Sequence, residues 1–237
     1  MDEELQPSEA TPPLRFGRWE QAIEVAVFLF LIVPSMIVSF FAMKQGALNF
    51  VTMASGTLLR DLALTSLVLY FLWRNGESWR TIGWSAEGAR REAALGAALF
   101  LPVFIGAGML GAALQQVGFS TPSIPVSSLL PGDSTAQRLL SLALVAVVAV
   151  SEETIFRGYL MLRFKTVLGS ARGALFLSSV LFAAGHGYQG MAGILTVGVL
   201  GLIFGAVYLW RGSLVAPIVM HFLHDFVGII LLSTVGK

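Results

Sequence analysis

The chain has 237 residues, 56% of them hydrophobic and 12% charged, with a mean hydropathy of +0.78. The charged share is about half that of an ordinary soluble domain, which argues against a soluble fold and for lipid as the solvent. The 15 basic and 14 acidic side chains nearly cancel, leaving no basic patch for nucleic acid. With no cysteine, disulfides, thiolate nucleophiles and cysteine zinc sites are excluded together.

Residues 1–21 are acidic, contain proline and lack the basic-then-apolar order of a signal peptide, so they read as a disordered cytosolic tail. Seven apolar segments follow, at about 22–43, 58–73, 93–115, 138–162, 173–189, 191–210 and 213–235. Crossing a hydrocarbon core of about 30 Å takes roughly 20 helical residues. The fold class is therefore all-α: a polytopic transmembrane helical bundle of about seven to eight membrane segments around a polar cavity, with any eighth piece re-entrant. Residues 22–237 form one transmembrane domain whose motif-bearing core is 138–235. The second segment is short, with Asp61 near its start. The fourth outruns one membrane thickness and is expected to project its Arg163 and Lys165 end into water.

Lys and Arg collect on the cytoplasmic side of a membrane. Counted by loop, Arg15, Arg18, Arg74, Arg80, Arg90, Arg91, Arg163, Lys165, Arg172 and Arg211 share the side of the N-terminus, ten against Lys44, Arg60, Arg138 and Lys237 on the other. The N-terminus is expected to be cytoplasmic, in a multi-pass protein of a bacterial or archaeal cell membrane. The loop at 74–92 mixes Trp79 and Trp84 with several arginines, the composition of an interfacial helix that anchors against headgroups. Residues 116–136 read as an external loop. No internal repeat is visible, which weakens a transporter reading.

Polar side chains inside a bilayer cost several kcal/mol each, so their placement is informative. They cluster in the C-terminal half: Glu152, Glu153 and Arg157 in VSEETIFRGYL, His186 in LFAAGHG, and His221, His224 and Asp225 in VMHFLHDFVG. Residues four apart share a helix face while neighbours diverge by about 100°. Glu153 and Arg157 therefore meet as an ion pair, the favourable order for it, and Glu152 points elsewhere without a local partner. A carboxylate of that kind suits proton transfer. His221 and Asp225 are also four apart, so the carboxyl orients the imidazole or stands beside it facing one cavity. His224, three from His221, shares that cavity or makes a structural contact. With His186 the set supplies a base, an imidazole that helps position water, and a polar pair for an oxyanion, the parts that peptide hydrolysis requires.

At these residues the chain resembles the CPBP family, the CaaX-protease and bacteriocin-processing (Abi) group of intramembrane proteases. Glu152-Glu153-Thr154-Ile155-Phe156-Arg157 fits the family's EExxxR, Phe182 to His186 fits FxxxH, and His221 to Asp225 fits Hxxx followed by Asn or Asp, all in family order over about 150–226. The resemblance implies a helical membrane protein that hydrolyses peptide bonds with a glutamate-activated water and no cofactor. It assigns Glu152 and His186 to the water, His221 and Asp225 to the oxyanion site, and Glu153 and Arg157 to their support. Members with Asn at the last position have a neutral donor there, whereas an ionised Asp225 would repel an oxyanion, so Asp225 is expected to be protonated or to act by orienting His221. The implied partners are a peptide or protein substrate, membrane-associated or not, and the lipid bilayer.

Two rivals stand beside this reading. His186, His221 and a carboxylate from Glu152 or Asp225 offer the three ligands of a catalytic zinc, which would make the protein a zinc-dependent intramembrane metalloprotease. A non-catalytic transport or binding protein would use the same Glu and His residues to relay protons or grip a partner. One difficulty concerns depth: counted from Arg138 and Arg172, Glu152 and His186 differ by about 12 Å at 1.5 Å per residue.

Overall fold

A computed structural model describes residues 17–45, 49–121 and 130–231. Among them are seven helices and no strand, in the order and near the places expected from hydropathy: α1 (Arg18–Lys44), α2 (Phe50–Asn75), α3 (Ala89–Gln116), α4 (Thr135–Leu168), α5 (Ala171–Ala184), α6 (Gly190–Arg211) and α7 (Val215–Leu231). Single 3-10 turns lie at Trp79–Ile82 and Gly187–Gln189. Five helices, α1, α2, α3, α4 and α6 with its preceding turn, are long and apolar enough to cross a membrane; α5 and α7 are shorter. The chain is a helical membrane bundle. Residues 1–16 of the expected tail, and most of the proline-bearing stretch of the expected external loop, lie outside the described residues.

Local chemistry sets the boundaries. The Asn49 side chain caps α2 by accepting from the Thr52 amide, and Gly76 closes the helix in the left-handed conformation at φ 68°. This starts α2 eight residues earlier than its apolar run suggests, so Asp61 lies well inside the helix and not near its beginning. Arg60, counted above as a loop cation, is inside it too.

α4 is the central helix: half of its most apolar stretch is buried in protein, against 6% for α3. Ile155, Phe156 and Tyr159 of α4 pack with Val25 and Phe28 of α1, Val68, Phe71 and Leu72 of α2, Ile82, and Phe182 of α5. A second cluster joins Leu200, Phe204 and Val207 of α6 to Ala216 and Met220 of α7, with Leu95, Leu99 and Val103 of α3 against it. From Glu153 to Leu160 α4 widens into a π-helical stretch, every residue of which is buried. Departures of this kind from α geometry concentrate at functional sites.

The far end of α4 corrects the expectation that Arg163 projects into water. Arg163 is 0% exposed; its Nε donates to Glu24 at 3.1 Å and its Nη1 to Glu77 at 2.8 Å. Glu24, itself buried, also accepts from Arg74, Asn75 and Tyr159. Two acids and two arginines thus neutralise one another where α1, α2 and α4 converge, while Lys165 alone of the expected pair is exposed. With Arg60 and Arg163 removed from the loop count, ten against four becomes nine against three, the same bias.

The 74–92 loop departs from the interfacial reading in part. Trp79 is 59% exposed, as an anchor should be, but Ile82 is fully buried and the Trp84 indole turns inward to donate to Thr154 Oγ1 at 3.1 Å.

Candidate active site

α4 and α7 pack against one another and bring five of the six expected site residues together. Glu153, 0% exposed, accepts through one oxygen from Arg157 Nη1 and from His221 Nδ1, each at 2.8 Å. The meeting of Glu153 and Arg157 follows from their spacing; the bond to His221 does not. On its other side the His221 ring presents Nε2 to Asp225 Oδ2 at 3.4 Å and to Glu152 Oε2 at 3.8 Å. The carboxylate that orients His221 at hydrogen-bond distance is therefore Glu153. Asp225 stands beyond the length of a strong charge-assisted bond.

Arg157 is held on its second face by aromatic rings. Its guanidinium carbon lies 4.1 Å from the Phe182 centroid and 5.5 Å from that of Phe204, contacts that favour a cation by the ring quadrupole. The Phe182 ring also stands edge-on to His221, at 5.9 Å between centroids, and lies 4.9 Å from His186. His186 is thus one aromatic ring away from the Glu152–His221 group. Its Nδ1 donates to the Phe182 carbonyl at 2.9 Å. A carbonyl only accepts, so in the neutral ring the proton is on Nδ1 and Nε2 is left as an acceptor.

The depth difficulty between Glu152 and His186 is halved. Ser178 Oγ of α5 donates to the Phe156 carbonyl of α4 at 2.7 Å. Counting four residues each way along these antiparallel helices puts Phe182 level with Glu152 and His186 one turn further, about 6 Å. α5 follows α4 after a two-residue break, and so starts at the depth of Leu168 and not at that of a membrane boundary.

His224 packs edge-on against Phe104 of α3, at 5.2 Å between centroids. Two residues of α2 were not singled out as site members. Asp61 is 2% exposed, and its Oδ1 accepts from Arg60 Nε at 2.9 Å. The signal was available, because an aspartate inside an apolar run is itself a candidate polar site. Among the described residues, the buried side-chain polar atoms without a hydrogen-bond partner include Asp61 Oδ2, Glu152 Oε2, Glu153 Oε2 and Arg157 Nη2. Buried polar groups are normally satisfied, so this concentration marks where a polar reactant would be received. Among the described residues no three His, Asp or Glu side chains are grouped so as to hold a metal ion.

Residues 134–227 match the family model described as type II CAAX prenyl endopeptidase, Rce1-like. This segment matches an Rce1-like domain, of the CPBP family. It contains α4 from its N-cap, α5, α6 and most of α7, and hence all six expected site residues; α1, α2 and α3 precede it. No curated protein and no solved structure matches the chain. The family that the segment matches is described as an endopeptidase.

Proposed function

We propose that the protein is an intramembrane endopeptidase in which Glu152 activates water. The observation that carries this reading is the Glu152 oxygen without a hydrogen-bond partner, 3.8 Å from the Nε2 of a histidine that Glu153 holds in place. The Glu152 carboxylate takes a proton from water as the water oxygen attacks the peptide carbonyl carbon. His186, whose Nε2 is an acceptor, helps to orient that water. His221, as imidazolium with Nδ1–H on Glu153, directs an Nε2–H donor at the developing oxyanion. The proton on Glu152 then passes to the amide nitrogen as the C–N bond breaks, yielding a carboxylic acid and an amine. Asp225 acts through His221, since a second anion at the oxyanion would oppose it. Glu153 and Arg157 support the imidazole.

The chemistry needs no metal, and the donor arrangement favours it over the zinc-dependent alternative. The Lys and Arg distribution supports a cytoplasmic N-terminus. The deciding experiment compares cleavage of a peptide library in liposomes by the wild type and Glu152→Ala, with thermal melting as the folding check. Cleavage lost in a folded Glu152→Ala variant is expected. Equal cleavage by both would remove Glu152 from its role, and no cleavage by either would favour a binding or transport protein.

A further inference from the structure

The turn at Ile82–Trp84 touches both helices that carry the site. Trp84 Nε1 donates to Thr154 Oγ1 at 3.1 Å, and Thr154 Oγ1 donates in turn to the Val150 carbonyl at 2.7 Å. With an N–H already directed at its oxygen, the Thr154 hydroxyl hydrogen is committed to Val150, one turn back, where α4 changes from α to π geometry. A side-chain bond to the carbonyl four residues earlier is a known cause of helix bending. One residue away, the Gly83 carbonyl accepts from the Leu214 amide at 3.0 Å, at the start of α7 and seven residues before His221.

The fit leaves no slack. Gly83 has φ +88°, and a Cβ there would lie 2.6 Å from the Tyr208 ring and 3.2 Å from the Leu214 nitrogen. A Cβ on Gly158, inside the π stretch, would lie 3.0 Å from the Ile82 carbonyl oxygen. Thr154 is two residues from Glu152 and so on nearly the opposite side of the helix. The turn presses on the back of α4 while its next carbonyl holds the root of α7.

We infer that Trp84 and Thr154 are positioning residues, a strap that sets Glu152 and Glu153 of α4 in register with His221 of α7. Neither touches the reacting atoms; both act through the helix. The inference rests on the reading of Glu152 as the base, so wild type and Glu152→Ala are run alongside. A wild type without cleavage would fail that reading and not the strap alone.

The test is steady-state proteolysis by Trp84→Phe, Thr154→Val, Thr154→Ser and the Trp84→Phe/Thr154→Val double variant, each with its melting temperature. Sub-ångström misplacement of reacting groups acts on turnover, so kcat is expected to fall about tenfold in Trp84→Phe and Thr154→Val with KM within about twofold. Thr154→Ser, which keeps the hydroxyl, should stay near wild type. The double variant should be no slower than Thr154→Val, because both changes break one chain of bonds. Unchanged kcat in folded Trp84→Phe and Thr154→Val, or losses that multiply in the double variant, would overturn the inference. If Thr154→Val does not fold, Trp84→Phe against Thr154→Ser decides it: kcat lowered in the first and kept in the second supports the strap, and kcat kept in both refutes it.

Discussion

Glu153 serves two cations with one oxygen, Arg157 and His221 at 2.8 Å each, and none of the three side chains is more than a few per cent exposed. Removing its charge strips both partners at once, so Glu153→Gln should cost more than the loss of one ion pair. A fall of at least about 100-fold in kcat is expected together with a lower melting temperature, in keeping with the about 3 to 5 kcal/mol attached to breaking a buried pair. Normal melting with normal turnover would show that His221 is oriented by something else. Asp225, at 3.4 Å from Nε2, gives the opposite expectation. Asp225→Asn keeps a polar group beside the ring and removes a charge that opposes the oxyanion, so its kcat/KM should remain within about tenfold of wild type. Asp225→Ala should fall by about 10- to 100-fold, and equal losses in both variants would mean that the charge itself is needed. The Glu153–Arg157 pairing was legible from spacing alone. The Glu153–His221 bond was not, because which carboxylate an imidazole meets depends on how two helices 68 residues apart are packed.

At the scale of elements, hydropathy located all seven helices, since lipid selects for uninterrupted apolar runs. It misplaced the start of α2, where Asn49 supplies a cap ahead of a stretch too polar to score. It also sent the end of α4 into water. A buried arginine reads like an exposed one in sequence, and the partners of Arg163 lie in α1 and in the loop after α2. That junction yields a stability prediction: Glu24→Gln removes a counter-charge from the buried Arg163, and one from the more exposed Arg74. The protein should lose about 3 to 5 kcal/mol, read as an earlier transition in detergent unfolding. A shift no larger than that of an exposed control such as Glu87→Gln would show that water reaches the junction. His221 lies on the shorter α7 and His186 just past the end of the shorter α5; α5 packs on α4 and α6, and α7 on α3, α4 and α6.

For the whole molecule, two expectations can be checked without knowing the substrate. The chain has no cysteine, so single cysteines report sidedness cleanly. Val117→Cys, at the exposed end of α3, should react with an impermeant thiol reagent added to intact cells, while Arg172→Cys at the head of α5 should react only after permeabilisation. The reverse pattern would invert the topology drawn from Lys and Arg. Cleavage activity should survive a strong chelator, and purified protein should hold zinc well below one ion per chain. Stoichiometric zinc lost together with activity would establish the metalloprotease instead.

Glu24 also sets a timetable for assembly. It enters the membrane with the first helix, but its partners lie 50 residues later at Arg74 and 139 residues later at Arg163. At about 5 to 20 residues per second of synthesis, Arg74 arrives some 2 to 10 seconds after Glu24 and Arg163 some 7 to 28 seconds after it. The α1–α2 hairpin should therefore form first, with an acid that still has bonding capacity to spare, and receive α4 last. Cross-linking of ribosome-bound chains stalled between these lengths should trap Glu24 beside Arg74 before Arg163 has emerged; a first helix that stays solitary until α4 is made would reverse that order.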